Sequence, residues 1–120
     1  VAFKTKPDPT FELPVDVPQP GKPTPAKLSL TVAHLGRRAL KDWMSRAKGA
    51  DGDAVWLMEV VKGWGADTVD EKGQPAPFNQ AAFDAVLDDY PGAAMAIFEA
   101  YVGEHYKAQA KNSVGPSSNG

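Results

Sequence analysis

Apolar and polar residues alternate strictly from Phe11 to Pro18: Phe11, Leu13, Val15 and Val17 are apolar, with Glu12, Pro14, Asp16 and Pro18 between them. A period of two predicts a strand with one buried face. Pro14 and Pro18 have no amide proton to give a ladder, so this strand belongs at a sheet edge. The segment 18–25, PQPGKPTP, is too rich in proline for a helix or an inner strand and predicts a stiff polar loop. Beyond it a second alternation begins, with Ala26, Leu28, Leu30, Val32 and His34 on one face and Lys27, Ser29 and Thr31 on the other. The two runs make an antiparallel hairpin. Two strands alone are marginal in water, so their apolar face must lie on the helices or pair with another subunit.

From Gly36 the period lengthens. Ala39, Leu40, Trp43, Met44 and Ala47 recur at helical spacing, predicting a helix over 36–48 with Gly49 as its stop. Asp51 or Asp53 can cap a second helix over 53–62, carrying Ala54, Leu57, Met58 and Val61. If Gly63 ends it in the left-handed region, Trp64 folds back near Met58, a contact that makes Trp64 a packing residue. Residues 66–76 read as an acidic, turn-rich loop with a short extended piece near Val69.

The stretch 77–106 reads as two further helices around a corner. Asn79 is an N-cap, with Phe78 and Phe83 at the two positions of a hydrophobic staple. The third helix, 79–89, turns Ala82, Phe83, Val86 and Leu87 inward and Asp84 and Asp88 outward. Pro91 disfavours helical geometry at Tyr90, so a fourth helix starts afresh and spans 91–110. Its stripe is Ala94, Ile97, Phe98, Tyr101, Val102 and His105. The expected core is Trp43, Leu57, Trp64, Phe83, Ile97, Phe98 and Tyr101. The fold class is α+β, predominantly helical, with an N-terminal antiparallel hairpin followed by about four helices. Residues 1–10 form a flexible arm, 11–112 a single domain and 113–120 a disordered tail.

Composition narrows the chemistry. The 120 residues include no cysteine, which removes disulfides and thiolate metal sites. The longest apolar stretch, AVWLMEVV, is broken by Glu59, so no membrane span or membrane partner is expected. A net charge of −2 conceals an asymmetry. Residues 1–50 hold nine Lys/Arg against four Asp/Glu, a net of +5, and residues 51–120 hold four against eleven, a net of −7. Arg37, Arg38, Lys41, Arg46 and Lys48 could meet nucleic acid, but they are also what the solvated face of an amphipathic helix contains, and the second reading is preferred. His34 and His105 are the only imidazoles and have no metal-ligand spacing; the GxG at Gly63 and Gly65 lacks the rest of a phosphate loop. Asp88 and Asp89 are adjacent and so point apart on a helix. No metal, cofactor or catalytic set is expected, and the chain does not read as an enzyme. The charged residues point to association: Arg37, Arg38 and Lys41 on a basic face, and Asp84, Asp88 and Glu99 on an acidic one, can meet between copies head to tail.

Taken in order, several stretches resemble the tail assembly chaperones of long-tailed bacteriophages over residues 11–112. They are LSLTVAHLGRRALKDWM, the helix ending in EVVKGW, the VDEKGQPAPF loop and DYPGAAMAIFEAYVGEHYKAQAKN. The most specific pieces are Gly63-Trp64 followed by Pro77-Phe78, and Tyr90-Pro91 followed by Tyr101 and Lys111-Asn112. The resemblance implies a small non-enzymatic helper in the cytoplasm of the bacterial host. Such a helper coats the tape-measure protein, keeps it soluble, self-associates, and is lost as tail-tube protein polymerises, so it is not expected in the mature virion. Two rival readings are a structural head-tail or tail-tube component and a small nucleic-acid-binding regulator using Arg37, Arg38 and Lys41.

Overall fold

The computed structural model describes residues 2–47 and 53–114. The element order is β1 (Thr10–Val17), β2 (Ala26–Ala33), α1 (Arg37–Ser45), α2 (Asp53–Leu57), β3 (Val61–Trp64), α3 (Gln80–Asp89) and α4 (Ala93–Val114). The fold is α+β, as the patterning implies, but the hairpin has grown into a three-stranded antiparallel sheet in the order β1-β2-β3. The balance is therefore less helical than expected.

Leu13 faces Leu30 and Val15 faces Leu28, so the alternating apolar sets of β1 and β2 share one face. All four are buried. The hydrogen bond from the His34 N–H to the Pro9 carbonyl (2.9 Å), taken with the Phe11–Val32 register, turns the odd-numbered backbone groups of β1 toward β2. Pro14 therefore lies where its missing N–H faces the free edge and costs no ladder bond. The expected edge position of β1 follows from that geometry. In the proline-rich loop, Gly21 takes φ +81, a left-handed conformation open to glycine, and the Lys22 N–H bonds the Gln19 carbonyl across the turn.

The largest departure from the expected elements is β3. The helix expected over 53–62 ends at Leu57, and Val61–Trp64 pairs with β2 through Val32, Thr31 and Leu30, with an irregularity between Thr31 and Val32. The Ala33 N–H reaches the Val60 carbonyl and the Gly65 N–H reaches the Ser29 carbonyl, extending the ladder at both ends. Val60 and Val61 are β-branched and suit a strand, but the deciding term is the open edge of β2, which supplies backbone partners that an extra helical turn would leave unmet. Gly63 lies within this strand and not at a left-handed helix end, so Trp64 does not fold back as a Schellman cap would require. Its indole N–H bonds the Ala76 carbonyl (2.8 Å) and its ring meets Phe78 edge-on at 5.0 Å, pinning the loop to the sheet. Trp64 is a packing residue with a different partner. The loop itself turns on Asp70, whose carboxylate accepts from the N–H groups of Lys72 and Gln74, and it contains the short extended pairing of Val69 with Pro75.

The helical corner matches its sequence signals closely. The Asn79 side chain accepts from the Ala82 N–H (2.8 Å), and the Phe78 and Phe83 rings lie 5.7 Å apart, as a capped and stapled N-terminus requires. Asn79→Ala is expected to lose about 1 kcal/mol of stability, read as a modest fall in thermal midpoint with unchanged folded-state circular dichroism. Tyr90 leaves helical geometry ahead of Pro91, and α4 begins at Ala93. Gly92 fits a close approach there: a Cβ would lie 3.2 Å from the Pro18 ring just past β1, tight enough that the ring would have to give by a few tenths of an ångström.

The core gathers Leu13, Val15, Leu30, Val32, Leu40, Trp43, Leu57, Phe83, Ile97 and Tyr101, all at most 2% exposed. Trp64 and Phe98, expected among them, are only half-buried at its margin. The reason is the rotation of α4: its deepest positions are Ala93, Ile97 and Tyr101, one residue in four, which leaves Ala94 and Phe98 on one flank. The expected stop at Gly49 and the cap at Asp51 lie outside the described residues, as does most of the tail expected over 113–120.

Candidate interaction surface

Two tryptophans join α1 to α2. The indole N–H of Trp43 bonds the Trp56 carbonyl (3.1 Å), the indole N–H of Trp56 bonds the Trp43 carbonyl (2.9 Å), and the rings stack at 4.2 Å. Each buried polar atom is thereby satisfied by the other residue's backbone. Phe98 from α4 completes the cluster at 5.8 and 5.6 Å from the two indoles. Trp43 is sealed inside, whereas Trp56 and Phe98 are half-buried and reach the surface.

There they line a shallow apolar socket of about 300 Å³ with Ala47, Pro91, Ala94 and Met95. Met95 is 60% exposed and forms the ridge between this socket and a second groove. That groove runs between the exposed side of β1 with the proline after it (Pro14, Asp16, Pro18) and α4 with the glycine before it (Gly92, Met95, Ala96, Glu99, Ala100). The resulting strip of apolar surface follows the first two turns of α4. An exposed methionine between an aromatic socket and a proline-walled groove is adaptable docking surface, because the thioether repacks at little cost.

The charged residues singled out from the sequence fall into three places. Arg37, Arg38 and Lys41 are exposed on α1, Asp84 and Asp88 are exposed on α3, and Glu99 stands on α4 at the groove. None of the six is in an ion pair among the described residues. Arg46 belongs to the same basic run in sequence, but its guanidinium is engaged within the chain. Its guanidinium makes a two-pronged contact with Glu59 (2.7 and 2.9 Å) and also reaches Asp42. The Arg46 hydrogen bond holds the Glu59 carboxyl below its ordinary range. Asp16 is paired with Lys27 across the hairpin at 2.6 Å, which leaves Glu99 as the carboxylate of the groove without an ion pair among the described residues.

The structure also brings together residues far apart in sequence. His34 and His105 lie with ring centroids 5.4 Å apart, and His105 packs edge-on against Phe11 and Tyr101. The His105 Nε2 accepts from the Leu35 N–H (3.4 Å), so Nδ1 carries the proton and donates to the Tyr101 carbonyl (2.9 Å). Both nitrogens serve the fold, tying α4 to the link between β2 and α1. No group of three or more His, Asp or Glu among the described residues is arranged to hold a metal ion. The sequence did contain a signal for this cluster, since His34 and His105 each end an apolar stripe, but only the course of β2, antiparallel to β1 and so running alongside α4 in the same direction, puts the two ends together. The socket had no comparable signal: it exists because α4 is rotated by one position from the expected stripe.

Among the described residues no helix is long and apolar enough to cross a membrane. Neither the curated proteins nor the solved structures contain a match to the chain. The family model described as phage tail assembly chaperone matches residues 1–112, nearly the whole sequence, including the hairpin, the Trp43–Trp56 cluster and α4. This chain belongs to the phage tail assembly chaperone family.

Proposed function

We propose that the protein acts without catalysis in the cytoplasm of the bacterial host, where it binds the tape-measure protein, keeps it soluble during tail assembly, and is absent from the finished virion. The observation that carries this reading is the apolar strip centred on Met95, on a chain whose family is that of tail assembly chaperones. A chaperone needs surface that covers apolar stretches of a client reversibly. Exposed methionine beside half-buried aromatic rings is suited to that, and the strip is flanked by unpaired charge that keeps the protein itself in solution.

The unit doing this is residues 11–112, preceded by an arm; Thr10, expected in the arm, already belongs to β1, and Ser113 and Val114, expected in the tail, continue α4. Self-association and client binding use the same surfaces: Arg37, Arg38 and Lys41 of one copy face Asp84, Asp88 and Glu99 of the next, a contact between unlike patches that builds rings or open spirals. Exposed ion pairs contribute ~0–1 kcal/mol each, so apolar burial supplies most of the affinity and salt loosens the assembly only in part. Addition of a strand at the β1 edge is a poor alternative, because Pro14 interrupts the outward amides between Glu12 and Asp16. Tail-tube protein is the partner that displaces the chaperone.

Co-expression with the tape-measure protein is the direct test. The client should be soluble with the protein and insoluble without it, and mass spectrometry should find the protein in assembly extracts but not in purified virions. Stoichiometric retention in virions would instead make it a tail component.

A further inference from the structure

Among the described residues, Phe3, Val55, Val69 and Tyr106 are large apolar side chains exposed outside the core and the strip. Phe3 is the most exposed of these four, at 90%, and lies on the irregular segment that precedes β1. It belongs to the sequence Phe3-Lys4-Thr5-Lys6, ahead of Pro7 and Pro9, so the segment is apolar at one position, cationic beside it and stiffened behind it. The same chain carries the complementary surface. The socket of Trp56, Pro91, Ala94, Met95 and Phe98 is aromatic and apolar, and the groove on the far side of Met95 holds the carboxylate of Glu99, which has no ion pair among the described residues.

From this pair of features we propose that the N-terminal arm of one copy docks on its neighbour, with Phe3 seated in the Trp56–Phe98 socket and Lys6 beside Glu99. The proposal rests on the self-association put forward above and adds to its charged patches the apolar contact that supplies most of the affinity.

Geometry favours a second copy over the chain's own socket. β1 runs antiparallel to α4. Its Thr10 end lies at the His105 end of the helix, where Phe11 and His105 meet, and its Pro18 end touches Gly92. The arm leaves from the first end, and the socket lies at the other. From Met95 to His105 is ten helical residues, about 15 Å along the axis. An arm folding back on its own body would have to reverse and retrace β1, whereas an arm continuing outward meets a neighbour. Phe3 does not cover the socket of its own chain.

Charge agrees with this assignment. Lys4 is held by Asp8 within the arm at 2.7 Å, while Lys6 has no ion-pair partner among the described residues. A phenyl ring moving from water into an aromatic socket supplies the affinity, and the Lys6–Glu99 pair sets direction. Because knob and socket are different patches, each copy offers one of each, and the contact propagates head to tail.

The test uses the full chain in sedimentation velocity across a wide concentration range. Three variants are compared with it: Phe3→Ser, Met95→Lys and, as a control on another exposed apolar residue, Val69→Lys. Both altered positions that matter are solvent-exposed, so circular dichroism and thermal midpoints should match the parent. The wild type and Val69→Lys should associate with rising concentration. Phe3→Ser and Met95→Lys should each associate at least tenfold more weakly.

The decisive sample is an equimolar mixture of those two variants: Phe3→Ser keeps an intact socket, Met95→Lys keeps an intact arm, and together they should form pairs that grow no further. A mixture that stays single, or either variant associating like the parent, overturns the arm contact. If wild-type chains associate regardless of both positions, self-association stands and only this contact falls. Wild-type chains that remain single at all concentrations sink both. Loss of association in Met95→Lys with none in Phe3→Ser would mean that something other than the arm occupies the socket, and would also overturn the proposal.

Discussion

Trp43→Ala is expected to be the most damaging single substitution in the chain, costing about 3–5 kcal/mol. Trp43 is 1% exposed and stacks on Trp56 at 4.2 Å while meeting Tyr101 edge-on at 5.1 Å. Truncation removes these contacts and leaves a cavity at the point where α1, α2 and α4 converge. It also removes the indole N–H bond to the Trp56 carbonyl, leaving that oxygen only the longer bond from the Glu59 N–H (3.2 Å). Residues 46–52 separate the two helices in sequence, so the tryptophan pair is a principal tie between them. Domains of this size have about 5–15 kcal/mol of total stability, and the variant should melt more than roughly 15 °C below the parent, or aggregate. Thermal unfolding followed by circular dichroism is the measurement. A midpoint within a few degrees of the parent would show that the pair is decorative.

The second large effect concerns Tyr101 and high pH. Its hydroxyl donates to the Ala33 carbonyl at 2.6 Å, its side chain is fully buried, and burial pushes its pKa from 10.0 up to about 12. The folded state therefore holds the phenolic proton more tightly than the unfolded chain does. The stabilisation is complete below pH 10 and is lost as pH rises toward about 12, because the unfolded chain ionises first and is drawn off. Tyr101→Phe should cost about 1–2 kcal/mol at neutral pH through the lost hydrogen bond and the Ala33 carbonyl left without it. It should also flatten the alkaline limb, so that the gap between variant and parent narrows above pH 10. Denaturant unfolding at pH 7, 10 and 11.5 would check both parts. A gap that is constant with pH would mean that the buried phenol is not what the alkaline limb reports.

These two residues show where sequence reasoning works and where it stops. Trp43 and Tyr101 were both expected in the core from helical spacing alone, since a residue in the middle of an apolar stripe is buried whatever it packs on. Asn79, the Phe78–Phe83 staple and the Tyr90-Pro91 corner were equally legible, because capping and proline geometry act within a few residues. The charges at Arg37, Arg38, Lys41, Asp84, Asp88 and Glu99 were correctly placed at the surface, but which of them border an apolar groove was not readable, and only Glu99 does.

By itself, then, the sequence determined the class of fold, the β1–β2 hairpin with β1 at its edge, the helices α1, α3 and α4, and the family, all of which rest on local period and on the order of short motifs. Only the tertiary structure decided the rest. Val61–Trp64 became a strand because β2 had an unpaired edge to offer, a partner thirty residues away in sequence that no local propensity describes. The rotation of α4, the socket between Trp56 and Phe98 and the meeting of His34 with His105 follow from the way helices seat on a particular sheet. Packing selects among rotations and registers that are locally equivalent, and that choice is made by contacts between segments distant along the chain.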